Sequence, residues 1–407
     1  ADGLRTTLAD EFAGIYVYNL RGNQRTSGEQ SRKEGGKVFG AGSRNTVAIT
    51  FLVKRPGHVG TADLRYRDLG DSLTAADKLR IVADATIDTL DWQTLVPNAA
   101  GDWINQRGEQ FSGYDLLGGR GAADAVLARV SAGLQTNRDA WVYNFSESEV
   151  VRNVERMVAF YNDQVAAYAA ETARTGSKPR VEDFVEADPK KISWARSLRQ
   201  AVTMQRTLRF DARHITRAAY RPFQSQHVYF DRLVNHEPGG MPSMFPTKAH
   251  PNHGFVVVAP GSDKPFAVHA VGLLPDLSMW GSGPSQFFAR WTYERAEGDH
   301  VAQGAFDFSD AEVVGGYRRI DNVTDAALAT YRRWYGPDVA KDHVFAFVYG
   351  LLHSPDYRTR FAADLKRSLP RIPRIDAADF VAFRNAGQAL LDRSEEHTSE
   401  LQSLAYL

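Results

Sequence analysis

The stretch GIYVYNLRGNQRTSGEQSRKEGGKVFGAGSRNTVAITFLVK, residues 14 to 54, decides how the first part of the chain is read. Its two ends, GIYVYNL and TVAITFLVK, are rich in aromatic and β-branched residues, as half-buried strands are. Between them, residues 19–45 carry six Gly and six Lys or Arg against two Glu. Hairpin loops take about two to five residues, and structureless loops beyond about a dozen are uncommon unless functional or disordered. The pattern therefore predicts two strands joined by a long, flexible, basic loop. Glycine lets backbone N–H groups approach an anion, and arginine forks onto phosphate. Arg21, Asn23, Arg25, Arg32, Lys33, Lys37 and Arg44 are candidate phosphate contacts. A merely solvated loop is the plainer alternative.

Around this hairpin, residues 1–95 read as helix, strand, loop, strand and then the helix TAADKLRIVADATI, capped by Thr74 with Asp77 three residues on. Such a mixture is the tail of an α/β sheet or a small α+β unit. Composition shifts to loop over 97–121, where we place a boundary. Beyond it, SESEVVRNVERMVAFYNDQVAAYAAETART repeats apolar residues at threes and fours from Val150 to Tyr168, with Ser146 and Glu149 as a capping box and Gly176 as a stop. A helix is predicted over 192–207, and a short one after Asp211. Strand signals fill 223–293, and helices return after 324.

The chain has 407 residues, 43% hydrophobic and 24% charged, with zero net charge and no Cys. That length suits two or three domains of about 150 residues. Zero net charge means that any nucleic-acid role rests on local patches. Without Cys there are no disulfides or thiolate metal sites, which suits a reducing cytoplasm. No apolar run approaches the roughly 20 residues of a membrane span.

Residues 190–221 form a second basic concentration, with Lys190, Lys191 and seven Arg against one acid, Asp211. On a helix over 192–207, Arg196, Arg199 and Arg206 fall within a sector of about 80°. Arg213 and Arg217 are one turn apart on the next predicted helix, and Arg221 follows. Arginines with almost no acid are the footprint of a phosphate-tracking surface, although most charge runs are solvated faces. Gln224 and Gln226 add side chains able to read adenine edges. Other constellations fail. His236, His250 and His253 lack metal-ligand spacing, and there is no GxSxG or P-loop. The aromatic residues Phe287, Phe288, Trp291 and Tyr293 suit a sheet core better than base stacking.

Residues 16–54, quoted above, resemble the end of the methyltransferase domain of Type ISP restriction–modification enzymes, the single-polypeptide relatives of Type I systems. AAYRPFQSQHVYFD (218–231), GSDKPFAVHAVGLLPDL (261–277) and FAFVYGLLHSPDYRTRFAADLKRSLPRIP (345–373) resemble their C-terminal specificity domain. The resemblance implies an α+β chain. Residues 1–95 would be the remnant of an α/β methyltransferase sheet with its antiparallel end hairpin, and 96–392 a mixed helical and β target-recognition domain. It implies a parent with nuclease, helicase and adenine-N6 methyltransferase parts, using S-adenosylmethionine, ATP and Mg. The adenine is flipped out of the duplex for methylation, as buried bases must be. The implied partners are double-stranded DNA and the upstream methyltransferase and helicase domains, with no membrane, in the cytoplasm. No Asn- or Asp-Pro-Pro-Tyr motif and no cofactor loop occurs in the sequence. We therefore expect no catalytic residue, no bound cofactor and no metal in this piece, and no activity alone. The Ala start suggests that the chain begins mid-protein. RSEEHTSELQS, residues 393–403, matches one reading frame of a sequencing adapter, so 393–407 is expected to be an artefact tail. Two alternatives remain: an independent enzyme using Asp231, His236 and His250, and a docking domain for the parent helicase.

Overall fold

The computed structural model describes residues 2–26, 28–40, 43–119, 124–281, 283–296 and 313–404, excepting the side chains of residue 2 and of 395–404. The last residues of the expected tail, 405–407, lie outside them. The chain divides into two compact units, 1–113 and 114–407.

In the first unit, α1 (Asp2–Glu11) leads into β1 (Gly14–Arg21), followed by α2 (Gly28–Glu34), β2 (Val47–Val53), β3 (Asp63–Asp68), α3 (Ala75–Asp84) and β4 (Gln93–Leu95). Their sheet has the order β2-β1-β3-β4. The predicted hairpin is present: β1 pairs antiparallel with β2 from Gly14↔Val53 to Arg21↔Val47, while β3 lies parallel on its other side. Tyr18, Leu20 and Val38 form a small core with Val82, Leu90 and Trp92 around them. Thr74 caps α3 as expected, accepting from the Asp77 N–H. The first unit ends at residue 113, within the 97–121 stretch. Asp102 is fully buried, and its carboxylate takes Arg5 at 3.0 Å and Arg107 at 2.8 Å. A buried carboxylate needs such partners, so 96–113 stay with the first unit.

The loop between β1 and β2 departs from expectation: its described residues are not structureless throughout. It contains α2 and is tied down by distant residues. Lys78 is fully buried and donates its Nζ proton to the Glu34 carbonyl at 2.7 Å. Gly36 N–H bonds to Leu73 O at 2.9 Å. A Cβ on Gly35 would meet Leu73 O at 2.2 Å, so only glycine permits this approach.

The second unit opens with β5 (Asp115–Leu116), β6 (Ser131–Ala132), α4 (Asp139–Val142) and β7 (Tyr143–Asn144). The long α5 (Glu147–Thr175), α6 (Val181–Phe184) and α7 (Arg196–Thr203) follow. Next come β8 (Ile215–Arg221), β9 (Gln224–Tyr229), α8 (Met241–Met244), β10 (Gly254–Val258), β11 (Val268–Val271), β12 (Leu274–Pro275), β13 (Ser285–Ala289), β14 (Trp291–Arg295), β15 (Val313–Val314) and β16 (Tyr317–Asp321). The end is α9 (Asp325–Tyr335), α10 (Lys341–His353), α11 (Pro355–Arg360), α12 (Ala362–Leu365), β17 (Arg371–Ile372) and α13 (Ala377–Leu404). Several small sheets and surrounding helices make this an α+β fold. Two four-stranded sheets, β11-β10-β13-β6 and β12-β8-β9-β7, hold most of the strands.

Helix α5 shows why the sequence folds this way. Ser146 accepts from Glu149 N–H at its start, and Gly176 closes it in the left-handed conformation (φ 71°). Its apolar stripe of Val150, Val154, Met157, Val158, Tyr161, Val165 and Tyr168 is buried. That burial is worth on the order of 10 kcal/mol before entropic costs. Phe287 and Phe288 are likewise fully buried, Phe288 stacking on Phe255 at 5.3 Å, so they belong to the core as expected.

Candidate nucleic-acid interface

In the first unit the basic residues sort by partner. Arg21, an expected phosphate contact, has carboxylate partners within the chain: its Nε donates to Asp68 at 2.7 Å and its Nη1 to Asp71. Those carboxylates, some fifty residues away in sequence, neutralise it. Asn23 shapes the turn, its side-chain oxygen accepting from Arg25 N–H at 3.0 Å. Lys33 pairs with Glu29 one helical turn away at 3.3 Å, an exposed contact of small worth. Lys37 is half-buried and donates to Gly40 O at 3.4 Å. Arg25, Arg32 and Arg44 are exposed and have no carboxylate partner among the described residues.

In the second unit the arginines lie on different elements from those expected. Helix α7 covers only Arg196–Thr203. Gln205 adopts φ 53°, and Arg206 N–H turns back to Ala201 O at 2.9 Å, so the helix has ended before Arg206. The single-face argument for Arg196, Arg199 and Arg206 therefore fails as helix geometry. Arg196 and Arg206 remain exposed, and Arg199 is half-buried with a buried Nε lacking any hydrogen-bond partner. Arg196 meets Glu237 at 3.7 Å.

The predicted second helix is also corrected. Asp211 caps a single 3-10 turn, Ala212–His214, and Arg217 lies on strand β8. Pairing of β8 with β9 and β12 overrides the local helical preference of its Ala and Arg residues. Arg213 forks onto Asp211 at 2.6 and 3.0 Å, and its hydrogen bonds hold that carboxylate well below the usual range. Arg217 bonds to Ser225 Oγ and approaches His227 at 3.4 Å. Arg221 packs over the Tyr220 ring at 4.0 Å and binds Asp276 at 2.9 Å. Asp276 is 3% exposed. Burial, then the Asp139 charge, pushes its pKa up to about 6, against the opposing pull of Ser278 N–H and Arg221. Arg213 and Arg221 thus each have a carboxylate partner within the chain. Gln224 is exposed and Gln226 half-buried, and their side chains make no hydrogen bond among the described residues.

The histidines do not converge. His236 contacts Ser197 at 3.1 Å, and His250 bonds to Thr247 and the Val314 carbonyl. Asp231 accepts from the Leu233 and Val234 N–H groups. A cavity of about 640 Å³, bounded by Phe230, Tyr293, Tyr317, His214 and Arg295, takes in Asp231 alone of that trio. No group of potential metal ligands occurs among the described residues. Sequence reading missed Phe223, which is 79% exposed at the β8–β9 turn; its one signal was the preceding Pro222.

A sequence model described as the Type ISP C-terminal specificity domain matches residues 125–401. The chain belongs to the Type ISP C-terminal specificity domain family. No curated protein matches it. Among solved structures, this Type ISP chain is similar to a nuclease-deletion mutant of the Type ISP restriction-modification enzyme LlaGI in complex with a DNA substrate mimic. The two share 35% identity at a TM-score of 0.76, over 96% of this chain and 28% of that one. The ATP-dependent Type ISP enzyme LlaBIII bound to DNA gives 27% identity and a TM-score of 0.77, over 96% and 24%. The DrdV–DNA complex gives 26% and 0.75, over 96% and 36%. The Type ISP chain thus spans about a quarter to a third of the length of these relatives. The match through residue 401 runs into the stretch expected to be an artefact tail.

Proposed function

We propose that this chain recognises a DNA target site within a Type ISP restriction–modification enzyme, acting in the cytoplasm. The observation that carries the proposal is its similarity, across 96% of its length, to three enzymes solved with DNA. Arg25, Arg32 and Arg44 in the first unit, and Arg196, Arg199 and Arg206 in the second, are the cations left for phosphates. Lys33, Lys37 and Arg217 are further candidates, each with a contact of its own, as Arg44 has to the Gln24 carbonyl and Arg196 to Glu237. Gln224 and Gln226 are the candidates for reading base edges. Upstream methyltransferase and helicase parts of a parent chain would supply adenine-N6 methylation with S-adenosylmethionine, and ATP- and Mg-dependent motion. Among the described residues, Asp231, His236 and His250 have separate partners, which does not favour the alternative of an independent enzyme.

Selection from a random duplex pool tests this. The chain should enrich one sequence, binding it at least about a thousandfold more tightly than random duplex. Equal binding to every duplex, or none, would end the proposal.

A further inference from the structure

Strands β8 and β9 are joined by two residues, Pro222 and Phe223, between the paired Arg221 and Gln224. Proline suits the first place of such a turn, and the second, at positive φ, belongs to Gly or Asn. Phe223 occupies it at φ 60°. For a bulky side chain this backbone is a genuine outlier, and strain of this kind persists at sites where the side chain has work to do. Its ring is 79% exposed, so no core packing explains its presence.

The tip that carries it is held firmly. The register shifts between Ala219 and Arg221, a bulge that places Tyr220 outside the ladder. Tyr220 packs against Tyr143 at 4.8 Å and donates its hydroxyl proton to Asp139 at 3.3 Å. Arg221 lies over the Tyr220 ring and on Asp276. His269 of β11 meets the Phe223 ring edge-on at 4.7 Å. The hairpin 215–229 contains two Arg and three Gln or Ser side chains and no acidic residue.

We propose that Phe223 is a wedge that enters the base stack of the recognised DNA. Apolar side chains inserted between bases unstack a base step in this way and gain stacking with the bases. The inference rests on the DNA-recognition reading. It goes further by assigning one residue a mechanical role that sets deformability as part of the target.

The test uses the duplex selected above, with 2-aminopurine placed in turn at each position. Binding of the unchanged chain should brighten the fluorescence at one step. Phe223→Ala and Phe223→Gly should abolish that brightening and weaken binding about tenfold, the low end for loss of base–aromatic stacking. Phe223→Trp should keep it. Phe223→Gly relieves the turn, so its urea midpoint should equal or exceed the original, which separates lost function from lost folding. Absence of brightening, or unchanged brightening and affinity in Phe223→Gly, overturns the wedge and leaves selective binding standing. If the unchanged chain selects no duplex, both readings fall together.

Discussion

Gly387→Ala should destabilise the chain, although alanine is the better helix former. Helices α10 and α13 touch backbone to backbone. A Cβ on Gly387 would stand 1.9 Å from Ala346 O, and one on Gly350 would stand 2.1 Å from Phe383 O. The helices can approach this closely because neither has a side chain there. Alanine gains about 1 kcal/mol of helix propensity. Forcing a methyl group into a filled contact costs about 3 kcal/mol, because the helices must part. The expected net loss is ~2 kcal/mol in urea unfolding. A gain of about 1 kcal/mol would show that the two helices separate without penalty.

Arg290→Met should cost more. Arg290 is 2% exposed and ties three elements together. It forks onto Asp321 at 2.6 and 2.9 Å, reaches Asp342 at 2.7 Å, and lies over the Trp291 ring at 3.9 Å. Methionine roughly keeps the volume but leaves Asp321, itself mostly buried, without its countercharge. Losing one partner of such a pair costs about 3 to 5 kcal/mol. Asp342 is largely exposed and regains water, so we expect the lower value, about 3 kcal/mol. Adding Asp321→Asn should recover part of it, because the amide oxygen can still accept from Val323 N–H. A loss below about 1 kcal/mol for Arg290→Met, measured by urea unfolding, would mean that Asp321 finds water instead.

These two contacts mark the limit of what the sequence could reveal. Helix α5 was legible from end to end, because its cap, stripe and stop are all local signals. Helix α10 falls among the helices expected after residue 324, but without a capping side chain or a one-sided stripe. The β1–β2 hairpin was legible as strands, yet its loop was not, since the groups that order it, Lys78 and Leu73, lie far along the chain. Charge was the least legible property. Arg21 and Arg221 looked like free cations until folding brought Asp68, Asp71 and Asp276 to them. Strand β8 was read as helix because its pairing with β12 and β9 is a tertiary fact. Phe223 escaped notice because its exposure and backbone strain have no sequence signature beyond the neighbouring proline.

The most direct measurement is the salt dependence of duplex affinity for the unchanged chain and for Arg196→Ala/Arg199→Ala/Arg206→Ala. Each phosphate contact contributes a slope of about 0.9 in log affinity against log salt. The expected result is weaker binding to all sequences alike, with the slope flattened by about 2 to 3. An unchanged slope and unchanged affinity would contradict it, and would make those arginines an ordinary solvated surface.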